Sequence, residues 1–409
     1  MEIRGIPMKY IIILGDGMSD RPLEQLGGKT PLMVANKPSI DSLCAKGRCG
    51  KLVTVPEDMS PGSAVANLAV LGYNPREVFQ GRGVLEAASM GVELAPEDLA
   101  MRCNLICIEN DRIKNHSAGH ISTGEASQLI DELNRTLGSP EMVFHPGVSY
   151  RHLFVMKNGS DKLACTPPHD VPGTRFGEVM IRATAPEGEE TAQILNSLIL
   201  KSQAILDNHP VNRARIAAGK DPANSVWFWS PGHRPKMKTL QELYGLRGAV
   251  ISAVDLIKGL GIYAGMDVIE VEGATGLYDT NYEGKARAAV EALNDYDIVY
   301  LHVEATDEAG HEGDIDLKIR TIEYLDNRIV KFVADEAAKM PEPVAIAITP
   351  DHGTPCAVRT HVHDPVPFLI YNPLLAPDAV TRYDEESVKR GSFGTLHGAQ
   401  FIQALLARE

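Results

Sequence analysis

Short, mostly apolar runs punctuate this chain, and three of them end on an acid. Tyr10 to Leu14 runs into Gly15-Asp16-Gly17, Ile298 to Val303 into Glu304, Asp307 and His311, and Val344 to Thr349 into Asp351-His352-Gly353. Runs that do not alternate with polar residues predict strands buried on both faces, as in a parallel sheet. Open α/β sheets hold ligands outside the carboxyl ends of their strands, so the three acids are expected along one edge. A single Asp after an apolar run is ordinarily a helix N-cap or turn residue. Three such ends, two with histidines beside them and His361 close behind Asp351, predict instead a binuclear site for hard divalent cations that handles phosphate.

The pattern also divides the chain. Residues 9–85 read as strand, loop and helices, with a helix from Pro38 to Ala45 and a short strand from Leu52 to Val55. Between Glu86 and Gly91 the rhythm changes. Beyond it lie strand-like runs at Leu105 to Ile108 and Leu153 to Met156, and a helical stretch from Glu125 to Leu137. Turn-rich segments separate them, including Thr166 to Asp170 and Ser230 to Gly232. From about Thr239 the α/β alternation returns: Ala249 to Leu260 as strand into helix, Asp267 to Val271 as a strand, Tyr282 to Leu293 as a helix. The expectation is a discontinuous α/β core from 1–85 and 239–409, with a mostly parallel sheet flanked by helices, and an inserted α/β domain over 86–238. At 409 residues the chain exceeds what one hydrophobic core usually holds.

Composition narrows the function. The formal charge of -14, from 40 basic and 54 acidic residues, argues against nucleic acid or a membrane surface as partner. A small anionic substrate stays open, because bound metals and a few arginines reverse the local field. Six scattered cysteines, Cys44, Cys49, Cys103, Cys107, Cys165 and Cys356, form no C-x-x-C pair and predict reduced thiols. Cys103 and Cys107 read as small buried hydrophobes rather than metal ligands. No apolar run reaches membrane-spanning length. The run after Lys9 is too short for a signal sequence and meets Asp16 at once, so a cytoplasmic location is expected.

Phosphoryl transfer through a covalent intermediate needs a hydroxyl that a metal converts to an alkoxide. Pro61-Gly62-Ser63-Ala64 supplies one, with Gly62 permitting a tight approach and Ser63 opening the apolar stretch Ala64 to Leu71. A helix start there offers backbone N–H groups and a favourable dipole to an anion. The alternative role for Ser63 is a plain N-cap.

These residues carry a family resemblance. The chain from Met8 onward resembles the archaeal-type branch of cofactor-independent phosphoglycerate mutases, within the alkaline phosphatase superfamily. The matching segments are Gly15-Asp16-Gly17-Met18, Gly62-Ser63 with Leu71-Gly72-Tyr73, Gly81-Arg82-Gly83, and Ala118 to Thr123. They continue with Gly273-Ala274-Thr275-Gly276, Thr306-Asp307 with Gly310-His311, Asp351 to Pro355, and His361 before Asp364 to Pro367. Residues 1–7 precede the family's usual start and read as a dispensable extension.

The resemblance implies an alkaline-phosphatase-like core and two divalent metal ions. Asp16, Ser63, Asp351 and His352 would hold one, which ionises Ser63. Asp307, His311 and His361 would hold the other, which grips phosphate oxygens. Manganese or magnesium suits the oxygen-rich set, and zinc is compatible with the histidines. Two dications against three carboxylates and one alkoxide leave a neutral cluster that accepts a phosphate dianion. Ala64 departs from the family, which usually has an acid after the serine. Lys285 is a candidate for a lysine near the phosphate, against the alternative of a solvated helix face. The inserted domain is expected to recognise glycerate, with His120, Arg151 and His169 favoured over His116, His152, Arg213 and Arg215 because each sits in or beside a turn-rich segment. Three readings follow: an intramolecular mutase acting on a small phosphorylated substrate, a homoserine-kinase-like transferase as in some bacterial relatives, and a non-catalytic metal-dependent binding module. The absence of a G-x-x-x-x-G-K-[ST] motif counts mildly against ATP use, and an apparently complete ligand set with an adjacent hydroxyl counts against the binding module. The oligomeric state is left open.

Overall fold

The computed structural model describes residues 8–407, so the extension read over residues 1–7 lies outside them. Contacts divide the chain into two compact units, one from the chain up to Phe79 and from Met237 onward, the other Gln80–Lys236. The division falls a few residues before 85/86 because helix Arg82–Ser89 packs on strands Leu99–Glu109 and Ser225–Gly232 of the second unit.

The first unit is built on eight strands: β1 (Lys9–Gly15), β2 (Arg48–Val53), β3 (Gly248–Ile251), β4 (Met266–Val268), β5 (Ile298–Val303), β6 (Val344–Thr349), β7 (Val366–Tyr371) and β8 (Gly394–His397). Their spatial order is β4-β3-β5-β1-β6-β7-β2-β8. All pairings are parallel except β6 with β7 and β7 with β2. The apolar runs become the sheet's centre because they can be covered on both faces: every residue of β5 and β6 is buried, as are Ile11 to Leu14 of β1. β1 lies between β5 and β6, with Leu14 level with His302 and with Thr349. Three chains therefore leave the sheet at one height, and their acids with them.

The second unit has a sheet that is antiparallel throughout. Leu99–Glu109 pairs with Arg112–Asn115, Arg151–Met156 and Ser225–Gly232, and Met142–His145 extends it beyond Arg151–Met156. Helix Thr123–Leu137 starts on a capping box between Ser122 and Glu125, and helix Glu189–Leu206 packs on Ser225–Gly232. The core between them is aromatic, with Phe144, Phe154 and Phe228 in mutual contact beside Trp227. Cys103 and Cys107 are buried in strand Leu99–Glu109, and all six cysteines are unpaired. Among the described residues, no helix is long and apolar enough to cross a membrane.

Candidate metal centre

The carboxyl edge of β1, β5 and β6 gathers the expected ligands into two adjoining clusters. Asp16, Asp351 and His352 offer donor atoms within 4.8 Å of one another, and so do Asp307, His311 and His361. Asp16 is the first residue past β1. Asp307 and His311 stand one turn apart on helix Ala305–Glu312, which begins directly behind β5. Asp351 and His352 open the loop behind β6. Packing at this edge is tight enough to dictate a glycine: Gly17 has a φ of +59°, and a Cβ there would come within 2.3 Å of Asp307 Oδ1. Gly62 differs. Its backbone is extended and a Cβ would meet only His361 Nδ1 at 3.8 Å, so no close approach demands glycine there.

Ser63 is the first residue of helix Ser63–Val70, and its Oγ lies 3.2 Å from His352 Nε2. The hydrogen bonds around His352 fix what that nitrogen can do. The Thr354 hydroxyl donates to Asp307 Oδ1, so Thr354 Oγ1 accepts from His352 Nδ1, 3.3 Å away. The His352 Nε2 lone pair is then left facing Ser63. In the second cluster His311 Nδ1 donates to the Arg359 carbonyl at 3.1 Å, which turns its Nε2 toward Asp307 Oδ2 at 3.1 Å and His361 Nε2 at 3.0 Å. Backbone partners that orient a histidine in this way are a regular feature of metal ligands.

The electrostatics call for cations. Asp16 is fully buried, and its Oδ1 has no hydrogen-bond partner. Burial, then the charges of Asp351, Glu304 and Asp307, push its carboxyl well above the usual range. Burial and Asp307 push Glu304 up to about 8. Asp307 in turn pulls His311 up to about 9 through their hydrogen bond. Convergent buried carboxylates and inward-facing imidazole nitrogens fit two divalent cations by donor type and by charge. A cavity of about 940 Å³ opens at the other end of the sheet beside Lys46, Lys331 and Val344, and no candidate ligand borders it.

Several site residues were missed by reading the sequence. His302, inside the apolar run of β5, reaches Asp16 Oδ2 with Nε2 at 2.8 Å and Ser252 Oγ with Nδ1 at 3.1 Å. Thr306 donates to the Asp16 carbonyl. Asn67 bonds both Ser63 and Asp351, and so supplies the polar contact that Ala64 does not. The one available signal was the pair Tyr300 and His302, polar groups two apart and therefore on one face of a strand that is otherwise apolar. Lys285 is not on a solvated face: it is wholly buried, with Nζ 3.3 Å from the His302 carbonyl and its charge acting on Glu304, and His302, Glu304 and Asp16 form a third group of close donor atoms.

In the second unit, two of the three favoured substrate residues join a ring cluster and the third sits on its edge. His116 lies 5.6 Å from Tyr150 and 5.9 Å from His169, and His120 lies 6.2 Å from Tyr150. Arg151 stands 5.8 Å over Tyr150, and Arg102 stands 4.4 Å over Trp229, which His169 also touches. Burial, then His169 and His120, hold His116 below the ordinary imidazole value. His152 and Arg215 are instead buried structural groups, His152 accepting from the Gly147 amide and Arg215 bound to Glu125 and to the Ala118 and Asp221 carbonyls. Arg213 is exposed.

Fold and site together define an α/β protein that gathers candidate metal ligands at the carboxyl edge of a mostly parallel sheet. Known proteins narrow this further. The sequence profile of 2,3-bisphosphoglycerate-independent phosphoglycerate mutase matches residues 44–212. The mutase of that name from Methanosarcina acetivorans is 52% identical, over 98% of this chain and all of the relative. A probable mutase from Geobacter sulfurreducens is 47% identical over 98% of this chain and all of the relative. Among solved structures, the cofactor-independent phosphoglycerate mutase from Thermoplasma acidophilum superposes with a TM-score of 0.70 at 28% identity, covering 98% of this chain and 99% of that one. A Pyrococcus horikoshii protein superposes with a TM-score of 0.84 at 33% identity, covering 99% and 98%. The chain belongs to the family of 2,3-bisphosphoglycerate-independent phosphoglycerate mutases, which are metal-dependent isomerases.

Proposed function

We propose that this chain interconverts 2- and 3-phosphoglycerate by passing the phosphoryl group through Ser63. The observation that carries the reading is the position of Ser63 Oγ, at the start of a helix and 3.2 Å from His352 Nε2, within the cluster that also holds Asp16 and Asp351. Asp16, Asp351, His352 and Ser63 would hold one divalent cation, and Asp307, His311 and His361 the other. Such ions, with Mn or Mg favoured by the carboxylates and Zn allowed by the histidines, lower the pKa of a coordinated hydroxyl and draw charge from phosphate oxygens. Ser63 Oγ bonds to phosphorus as the bond to the first glycerate oxygen breaks. The proton lost by Ser63 is balanced by one gained at that oxygen. The second glycerate hydroxyl then takes the group back, and Ser63 recovers its proton. In the second unit we assign the glycerate carboxylate to His120, Arg151 and His169, since planar cationic and imidazole donors suit a carboxylate.

The test is incubation with 3-phosphoglycerate and a divalent metal, without ATP or 2,3-bisphosphoglycerate. Formation of 2-phosphoglycerate with little free phosphate is expected. Strict dependence on ATP, with γ-phosphate label passing to homoserine, would move the protein to the kinase reading. Rapid phosphate release without 2-phosphoglycerate would make it a phosphatase.

A further inference from the structure

Helix Ser63–Val70 is buried along nearly its whole length by Ala64, Val65, Ala66, Leu68, Ala69 and Val70, with one polar exception, Asn67. A leucine at such a position would bury apolar surface and suit a helix better. Asparagine there needs a chemical reason, and its contacts supply one. Asn67 is one turn beyond Ser63 and wholly buried. Its Nδ2 donates to the Ser63 carbonyl at 2.8 Å and to Asp351 Oδ2 at 2.8 Å. Its Oδ1 accepts from the Tyr300 hydroxyl, on the neighbouring face of β5. Both amide protons are used on acceptors and the amide oxygen on a donor, so only one orientation of the amide satisfies the site.

We propose that Asn67, locked by Tyr300, is a positioning residue for phosphoryl transfer. It ties the backbone of the nucleophile to the carboxylate of a cation ligand. The rest of the Asp351 carboxylate is already committed, because Oδ1 accepts from the Gly17 amide at 3.2 Å and the His352 amide at 2.8 Å. Asn67 occupies one side of Oδ2 and so directs the remaining lone pair toward the Ser63 and His352 side. Ser63 is free in one half of the proposed cycle and phosphorylated in the other, and its Oγ must return to the same place each time. A helix start held only by its own backbone bonds can fray. A side-chain tether one turn in, anchored on a strand of the central sheet, removes that freedom.

This inference rests on Ser63 being the phosphoryl carrier. Its test uses Tyr300→Phe, which removes only the locking hydroxyl, with Asn67→Ala and Asn67→Asp, each loaded with Mn. Misplacement of a reacting atom by about 1 Å costs about 100-fold, so kcat should fall by about that factor in the Asn67 variants and by about tenfold in Tyr300→Phe, with KM within about threefold of the parent. Orthovanadate, which engages an in-line nucleophile, should bind about tenfold more weakly, again through misalignment. Bound Mn should stay at the parent level, because the direct ligands are untouched. Parent-like kcat and vanadate affinity in folded Asn67 variants would overturn the proposal. So would loss of bound Mn together with a matching rise in KM, which marks a purely structural support. If the parent itself fails to convert phosphoglycerate, the proposed function is wrong. The vanadate comparison then still decides the role of Asn67.

Discussion

At the scale of single residues, the site separates groups that react from groups that hold. Ser63→Ala should abolish turnover while calorimetric metal titration still finds both sites, because carboxylates and imidazoles carry most of the affinity. Loss of a site in that variant, or retained turnover, would remove Ser63 from its assigned role. Asp307→Asn, His311→Ala and His361→Ala share one cluster, so each should weaken one site and spare the other. Of the three, Asp307→Asn should cost most, since it removes a ligand and a charge. Chelation should stop activity in the parent, and added metal should restore it.

At the scale of elements, the two loops that bring ligands from β1 and β6 are bound by a buried cation. Lys318, on helix Ile315–Tyr324, donates to Asp20 Oδ2 at 3.0 Å, to the Ser19 carbonyl at 3.2 Å and to the Thr354 carbonyl at 2.7 Å. Asp20 in turn accepts from the Cys356 amide. Removing one member of a buried pair strands the other, at about 3–5 kcal/mol, so Lys318→Met should lower the unfolding free energy measured in urea by about that amount and weaken both metal sites together. A stable variant with unchanged metal affinity would show the loops to be held by other means. None of this was open to reading in the sequence, whereas β1, β5 and β6 were, because a strand covered on both faces must be apolar throughout. β7 was hidden by Pro367, which argues against an interior strand, yet it lies between β6 and β2 with Pro367 facing Lys51. Helix Glu189–Leu206 shows buried positions at helical spacing, from Leu195 through Leu198, Ile199 and Ser202 to Leu206, a pattern the sequence does carry. The ligand acids were legible because they end runs. Asn67, His302 and Lys318 were not, because a polar residue inside an apolar stretch gives no address for its partner.

At the scale of the whole molecule, the response to acid has an identifiable source in the second unit. His152 lies in the core of the second unit, where burial pulls its pKa down to about 4 and its Nε2 has no partner. The unfolded chain takes up this proton near its ordinary value of about 6.5. Stability from the neutral ring is therefore complete above that pH, and drains away as the pH falls toward 4. The loss is bounded at about 3 kcal/mol. Thermal melts from pH 7 to 4 should show it, and His152→Asn, whose amide oxygen can replace Nδ1 as acceptor for Gly147, should flatten the dependence. An equal pH slope in that variant would place the acid sensitivity elsewhere.

The register of β1 has a consequence for the order in which the protein is made. Tyr10 pairs with Ile298 and with Ala345, 288 and 335 residues later in the chain. On the ribosome the first strand must wait, without either neighbour, until the chain has emerged past Val303. Residues 80–236 meet no such delay, since every strand pairing of their five-stranded sheet closes within that span. Nascent chains stalled near residue 280 should carry a protease-resistant fragment from the middle of the sequence and a digestible β1. Domains generally fold as units during synthesis, and here the second to begin is the first to finish.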